Sequence, residues 1–346
     1  MKRSVVSLIC FAFLFTGLSL TGQNANSEYR IVNKIHLPGE GGWDYLSVDE
    51  TSARLFISHA TVVQVVDLKT GVLAGTINDT PGVHGIAIAE DLNKAFISVG
   101  RDNSVKVINL KTLDFIADVK ITGENPDAIM YDKFSRKVFV FNGRTANATV
   151  LDAVANKVIA TIALEGKPEF PVSDGKGKLF VNIEDKSLIS VIDVRSMIVE
   201  KSWPIAPGEE ASGLALDNET HRLFAVCSNK LMMVVDATDG HIVANLPIGD
   251  GCDGVKFDPE LKRAFSSNGE GTMTVVQEVN KDSFMLIENF PTAPGARTLA
   301  IDTKTHHVYM PSAEYGDAPV ATADNPRPRR TMKPDSFFVM DIAPLK

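Results

Sequence analysis

The sequence is short of the residues and spacings that usually give an active site away. It has 3 cysteines, 2 tryptophans and 7 histidines in 346 residues. No C-x-x-C or H-E-x-x-H spacing occurs, so a metal site built from sequence neighbours is excluded. No G-x-S-x-G occurs either, which removes the nucleophile elbow of serine hydrolases. No long segment has a 3.6-residue apolar period, so helices are not the framework. Only one long apolar run is present, Val5–Leu20, and no second one follows that could span a membrane. Positive charge is scarce too, with 35 Lys and Arg against 43 Asp and Glu and a formal net charge of −8. An acidic chain lacks the basic face that nucleic acid needs, so nucleic acid is disfavoured as a partner.

The apolar run has its own meaning. Lys2 and Arg3 precede it, and small and polar residues around Thr21-Gly22-Gln23 follow it. That is the order of a secretory signal peptide. Residues 1–22 are therefore expected to be a leader, cleaved near Gly22 or Ala25, and the protein to be periplasmic or secreted. Cys10 lies inside the run, badly placed for a lipoprotein cysteine. Loss of the leader's two positive charges takes the formal −8 to −10. Cys227 and Cys252 remain, and an oxidising compartment permits a disulfide between them without requiring one.

What the chain has in plenty is repetition. Apolar-aromatic pairs recur at Leu55-Phe56, Ala95-Phe96, Val138-Phe139, Leu179-Phe180, Leu223-Phe224, Ala264-Phe265 and Val308-Tyr309. Their second members are spaced 40, 43, 41, 44, 41 and 44 residues apart. Each unit reads as four short strands rich in β-branched residues, for example Gly85–Ala89, Lys94–Val99, Ser104–Asn109 and Asp114–Ile121. This period and grammar predict an all-β, seven-bladed propeller of four-stranded antiparallel blades. The last unit is one strand short, and Tyr29–Leu37 reads as an orphan fourth strand. Pairing the two closes the ring, giving one domain over residues 29–346. Asp67, Asp152, Asp193 and Asp236 recur at one turn in their units and read as turn formers, not catalytic carboxylates.

Two stretches, "KVFVFNGRTANATVLDAVANKVIATIALEGKP" and "KLFVNIEDKSLISVIDVRSMIVEKSWPI", resemble the YVTN-type repeat of the YncE-like group of exported propellers. The resemblance covers Tyr29–Pro344, and unit 6 departs most, with "FSSN" and "VVQEV". No W-D signature recurs from unit to unit. The resemblance implies the fold. For function it implies DNA or extracellular interaction, of which the acidic charge argues against DNA.

If recurrence marks structure, a site is to be sought where equivalent positions differ. Aligning the units puts Asp44, His84, Asp127, Glu169, Ser212, Asp253 and Arg297 at one place, the mouth of the central channel. Six of these are ionisable, where chance composition gives roughly two. A wet channel mouth favours polar residues in any case, and that plain reading stands beside a functional one. In the functional reading the ring binds a ligand. Its carboxylates and one imidazole would suit Ca²⁺, Mg²⁺ or Mn²⁺, with Asp44, His84 and Glu169 as the candidate metal set. Arg297 would pair with Asp44 across the ring closure or clamp an anion.

Loops on the same face add His59, Arg101, Asn142, Arg144, Glu184, Asn268 and Glu314 as rim candidates. One loop is long: 32 residues separate Tyr309 from Asp341 in unit 7, against 13 from Phe96 to Asn109 in unit 2. This insertion, about 314–335, carries Arg327, Arg329, Arg330 and Lys333 and reads as either a lid or a clasp. The expected function is binding or interaction through the mouth face, with a protein, peptide or small molecule as ligand and a monomeric protein. The alternative is a metal-assisted hydrolase or lyase, lactonase-like, using the channel carboxylates and His84.

Overall fold

A computed structural model describes residues 27–317 and 330–345. The expected leader, Arg327 and Arg329 lie outside them. The described residues form seven four-stranded antiparallel sheets. The innermost strands of blades 1 to 6 are Trp43–Asp49, Val83–Ala89, Pro126–Asp132, Pro168–Ser173, Ala211–Asp217 and Cys252–Asp258. Blade 7 contributes only Ala300–Asp302. The stretch before it is turned by Pro294 and Gly295, whose φ of 86° favours glycine, so Arg297 and Thr298 reach the mouth from a loop. Each inner strand packs against those of the neighbouring blades, and blade 7 meets blade 1.

The ring closes as the repeat count requires. Tyr29–His36 pairs antiparallel with Phe338–Pro344 and becomes the outer strand of blade 7. It is anchored by apolar burial. Tyr29, Ile35 and Leu37 are buried, and the Tyr29 ring meets Phe265 edge-on at 5.6 Å. Arg263 donates to the Tyr29 hydroxyl at 2.8 Å.

The core lies between blades. Phe56, Phe96, Phe139, Phe224 and Phe265 are fully buried, which explains why an aromatic recurs on every second strand. Polar recurrences serve turns. Asp67 accepts the N–H groups of Lys69 and Thr70, both at 2.9 Å, Asp152 and Asp193 accept the equivalent pairs in their blades, and Asp236 accepts the Thr238 N–H. Where inner strands of neighbouring blades touch closely only glycine fits: a Cβ on Gly85 would stand 2.8 Å from Ile129, and one on Gly213 2.8 Å from the Val255 nitrogen.

Candidate functional site

The mouth is built by an irregularity. In blades 1 to 6 the pairing of first and second strand slips at its upper end, between Trp43 and Leu46, Val83 and Ile86, Pro126 and Ile129, Pro168 and Pro171, Ala211 and Leu214, and Cys252 and Gly254. The residues inside these bulges are Asp44, His84, Asp127, Glu169, Ser212 and Asp253. A bulge frees a residue from the ladder and re-aims its side chain, here toward the channel mouth.

Buried polar residues of the second strands fix the bulged backbone. Ser58 accepts the Asp44 N–H at 2.9 Å, and Ser98 accepts the Gly85 N–H at 2.8 Å. Others reach into the next blade. Ser98 donates to the Asp127 carbonyl at 2.6 Å, Ser267 to that of Arg297 at 2.6 Å, and Asn182 to those of Ser212 and Gly213, both at 3.0 Å. Thr298 completes the circuit by donating to the Asp44 carbonyl at 2.7 Å. In blades 1, 2, 4 and 6 the buried polar residue two places after the aromatic is therefore a device that holds the mouth.

The rim side chains sort into two groups. His84 sits between two acids, its Nδ1 2.6 Å from Asp44 and 3.7 Å from Asp127. Ligand atoms of these three residues lie within 4.8 Å of one another. Arg297 closes the ring by pairing with Asp253 and standing 3.5 Å from Asp44. Glu169 stands apart from the histidine. It is buried and bound to Lys167 at 2.7 Å, and Lys167 also holds Glu184. The three residues brought together are thus Asp44, His84 and Asp127, while Glu169 belongs to a separate ion-pair cluster.

Several loop candidates turn out to be structural. His59 is buried, stacked on Phe337 at 4.1 Å, with Nδ1 on Gln64 at 3.1 Å; it does not reach the rim. Asn142 and Asn268 are buried and bond threonines of their own blades. Glu314 pairs with Lys333 at 3.1 Å at the base of the long insertion, and Arg330 lines a shallow cleft with Lys34, His36 and Glu314. On its return the insertion seats Phe337 between His59 and Trp43, so its described base is a clasp between blades 7 and 1. The cysteines are both free; the Cys252 thiol donates to the Cys227 carbonyl at 3.1 Å. Burial pushes both thiols up to about 12.

No family model matches the chain. YncE of Salmonella typhimurium, described as uncharacterized, is 22% identical over 262 residues, which cover 72% of this chain and 62% of that one. The seven-bladed ring and its YVTN-type repeat agree with this likeness. The chain is a YncE-like β-propeller. Its match spans less than two thirds of the relative's own length. Among solved structures, Kuenenia stuttgartiensis hydrazine synthase superposes with a TM-score of 0.68 at 17% identity, covering 80% of this chain and 94% of that one. The WD40 repeats of RRP9 give a TM-score of 0.74 at 8% identity, covering 91% and 97%. At such identities the likeness is one of fold alone.

The mouth of this YncE-like propeller holds its charges under strain. Burial would lower the His84 pKa, but its hydrogen bond to Asp44 and the charges of Asp127 and Asp44 outweigh that and raise it. Burial, then repulsion from Asp44, lifts Asp127 to about 6. Burial and the charge of Asp127 lift Glu169 to about 7 against the pull of Lys167. The mouth therefore exchanges protons near neutral pH.

Beside the acids lies a cleft of the opposite character. It has a volume of about 500 Å³ and is lined by Gly82, His84, Gly100, Arg101, Asn103, Asn125 and Arg144. His84 packs its Nε2 edge against Gly100, where an added Cβ would stand 3.0 Å from that nitrogen. The ring thus bridges the two regions, Nδ1 on the acids and Nε2 at the cleft. Asn103 spends its side-chain oxygen on the Asn125 N–H at 2.8 Å. Among the described residues, Arg101 and Arg144 have no carboxylate within ion-pair distance.

Lys167, Asn103 and Asn125 were not among the sequence candidates. Their signal is position: Asn125 and Lys167 each stand two residues before a rim acid, and Asn103 lies in the turn following the second strand of the His84 blade. Deeper in the channel, Tyr45 meets Phe170 at 5.3 Å and the Lys256 ammonium lies 4.1 Å over the same ring. Aromatic bulk at these positions narrows the channel beneath the mouth.

Proposed function

We propose that this is an exported binding propeller that captures a small anionic ligand, bearing a carboxylate or phosphate, at the mouth cleft between blades 2 and 3. One observation carries the reading: Arg101 and Arg144, without carboxylate partners among the described residues, line one cleft with His84. Guanidinium forks match carboxylate and phosphate oxygens, and a His84 kept protonated by Asp44 adds a third donor through Nε2. The cleft's size falls in the range of small-molecule sites. Export is supported by the leader sequence, and N-terminal mass analysis of the mature protein tests it. The binding reading is tested by a thermal-shift screen of anionic, neutral and cationic small molecules. Stabilisation confined to anions, and lost in Arg101→Gln/Arg144→Gln, supports it; no anion-specific stabilisation refutes it.

A second reading rests on the Asp44, His84 and Asp127 cluster, whose donor atoms lie within 4.8 Å of one another. Two oxygens and one nitrogen suit Mn²⁺ or Mg²⁺, and a cation there would polarise a lactone or ester carbonyl. Metal analysis of natively purified protein and a screen of lactones and esters test this reading. Protein free of metal and inert toward all of them retires it.

A further inference from the structure

The channel interior carries a lysine that the mouth cleft does not use. Lys256 lies on the innermost strand of blade 6, three residues below Asp253. Its ammonium stands over the ring of Phe170 in blade 4, and Phe170 in turn meets Tyr45 of blade 1. Side chains of non-neighbouring blades meet only across the axis, so the three form the waist of the channel.

The surroundings of Lys256 set it apart. The other half-buried lysines are all held. Lys94 donates to the Ala153 and Val154 carbonyls, Lys106 to that of Asp79, and Lys137 to that of Val194. Lys167, Lys178 and Lys262 are ion-paired. Lys256 alone among the described half-buried lysines has neither a hydrogen bond nor an ion pair. A half-buried ammonium whose one neighbour is the Phe170 ring, with no counter-ion, is costly, and shedding its proton relieves the cost.

We propose that Lys256 is a nucleophilic amine on the channel axis that condenses with small neutral carbonyl compounds. Neutral partners are favoured because the entrance presents both signs of charge, the acids Asp44, Asp127, Glu169 and Asp253 beside His84, Lys167 and Arg297. The amine lone pair attacks the carbonyl carbon, the C–N bond forms, and the carbonyl oxygen leaves as water after proton transfer. The product is an imine, reversible by water, and no oxidant or reductant is consumed. In support, burial pulls the Lys256 pKa down to about 8, so neutral amine is present at neutral pH.

The test uses the whole folded protein with limiting acetaldehyde and cyanoborohydride near neutral pH, the hydride locking each imine as a secondary amine. Peptide mapping compares Lys256 with the exposed Lys157 and Lys176 in the same molecules. Lys256 is expected to be modified about tenfold faster than either, since more of it is unprotonated. Lys256→Arg should lose that fast phase while Lys157 and Lys176 react as before. Modification of Lys256 at or below the rate of the two exposed lysines overturns the proposal. That comparison is made within the native sequence, so it stands even if the variant fails to fold, and it does not depend on ligand capture at Arg101 and Arg144.

Discussion

Replacing Glu169 by Gln should make the protein more stable in mild alkali, although it removes an ion pair. Glu169 is 6% exposed, and burial together with the charge of Asp127 raises its pKa from 4.5 to about 7. Below the unfolded value both states hold the proton and nothing is lost. Between 4.5 and about 7 the folded state keeps a proton that the unfolded chain has released, so stability falls as pH rises through this window. Above it the full penalty of a buried charge remains, about 3 kcal/mol for a displacement of this size. Gln carries no such penalty but forfeits the contact with Lys167, which keeps Glu184 as a partner. The net gain should be about 1–2 kcal/mol at about pH 8, seen as a rise of a few degrees in melting temperature. At about pH 4 the gain should vanish, because Glu169 is then neutral in both states. Melts of both proteins across this range decide the matter. A variant that is less stable at about pH 8, or shifted equally at every pH, would refute the reasoning.

Three further outcomes follow from the structure. Tyr29→Ala should cost about 3–5 kcal/mol by emptying the space against Phe265, and removal of Tyr29–Leu37 should cost more and expose a sheet edge that promotes association; unchanged melting and a monomeric truncated protein would contradict the ring closure. Asn182→Ala should destabilise by about 1–3 kcal/mol, because the Ser212 and Gly213 carbonyls lose their donor in a dry setting, and a loss of under a few tenths in a denaturant titration would count against the inter-blade clasp. Asp44→Asn should lower the His84 pKa, followed by imidazole NMR; the raised pKa of His84 stabilises the fold fully below the unfolded value of 6.5, and that contribution is lost only as pH rises through the raised folded value, so the variant should be weaker at acid pH and approach the native protein in mild alkali.

The fold was legible because one pattern is written seven times, and a register or strand that is ambiguous once is unambiguous in repetition. Strand ends such as Lys94–Val99 and Ser104–Asn109 agree residue for residue with the expectation. The short first strand of blade 7 was hidden, since Pro294 and Gly295 break a stretch that otherwise aligns with its equivalents. The mouth was legible as a set of positions but not as a set of contacts. Ring order decides which side chains meet, so His84 touches its two neighbours, Asp44 and Asp127, whereas residue type alone had nominated Glu169. His59 was misplaced for another reason. What covers it is Phe337, nearly 280 residues further along, and nothing local to His59 signals that lid. The bulges themselves depend on backbone geometry that several sequences can adopt, although the buried Ser58, Ser98, Asn182 and Ser267 that brace them stand out as polar residues within otherwise apolar strands.

The measurement that bears most directly on the account is a calorimetric titration of the native protein and of Arg101→Gln/Arg144→Gln with the anion that stabilises the native protein best. Each guanidinium in a charge-assisted contact contributes about 1.5–3 kcal/mol, so the double variant should bind at least about a hundredfold more weakly while its melting temperature without ligand stays unchanged. Equal affinity in the two proteins would contradict the placement of the ligand at His84, Arg101 and Arg144.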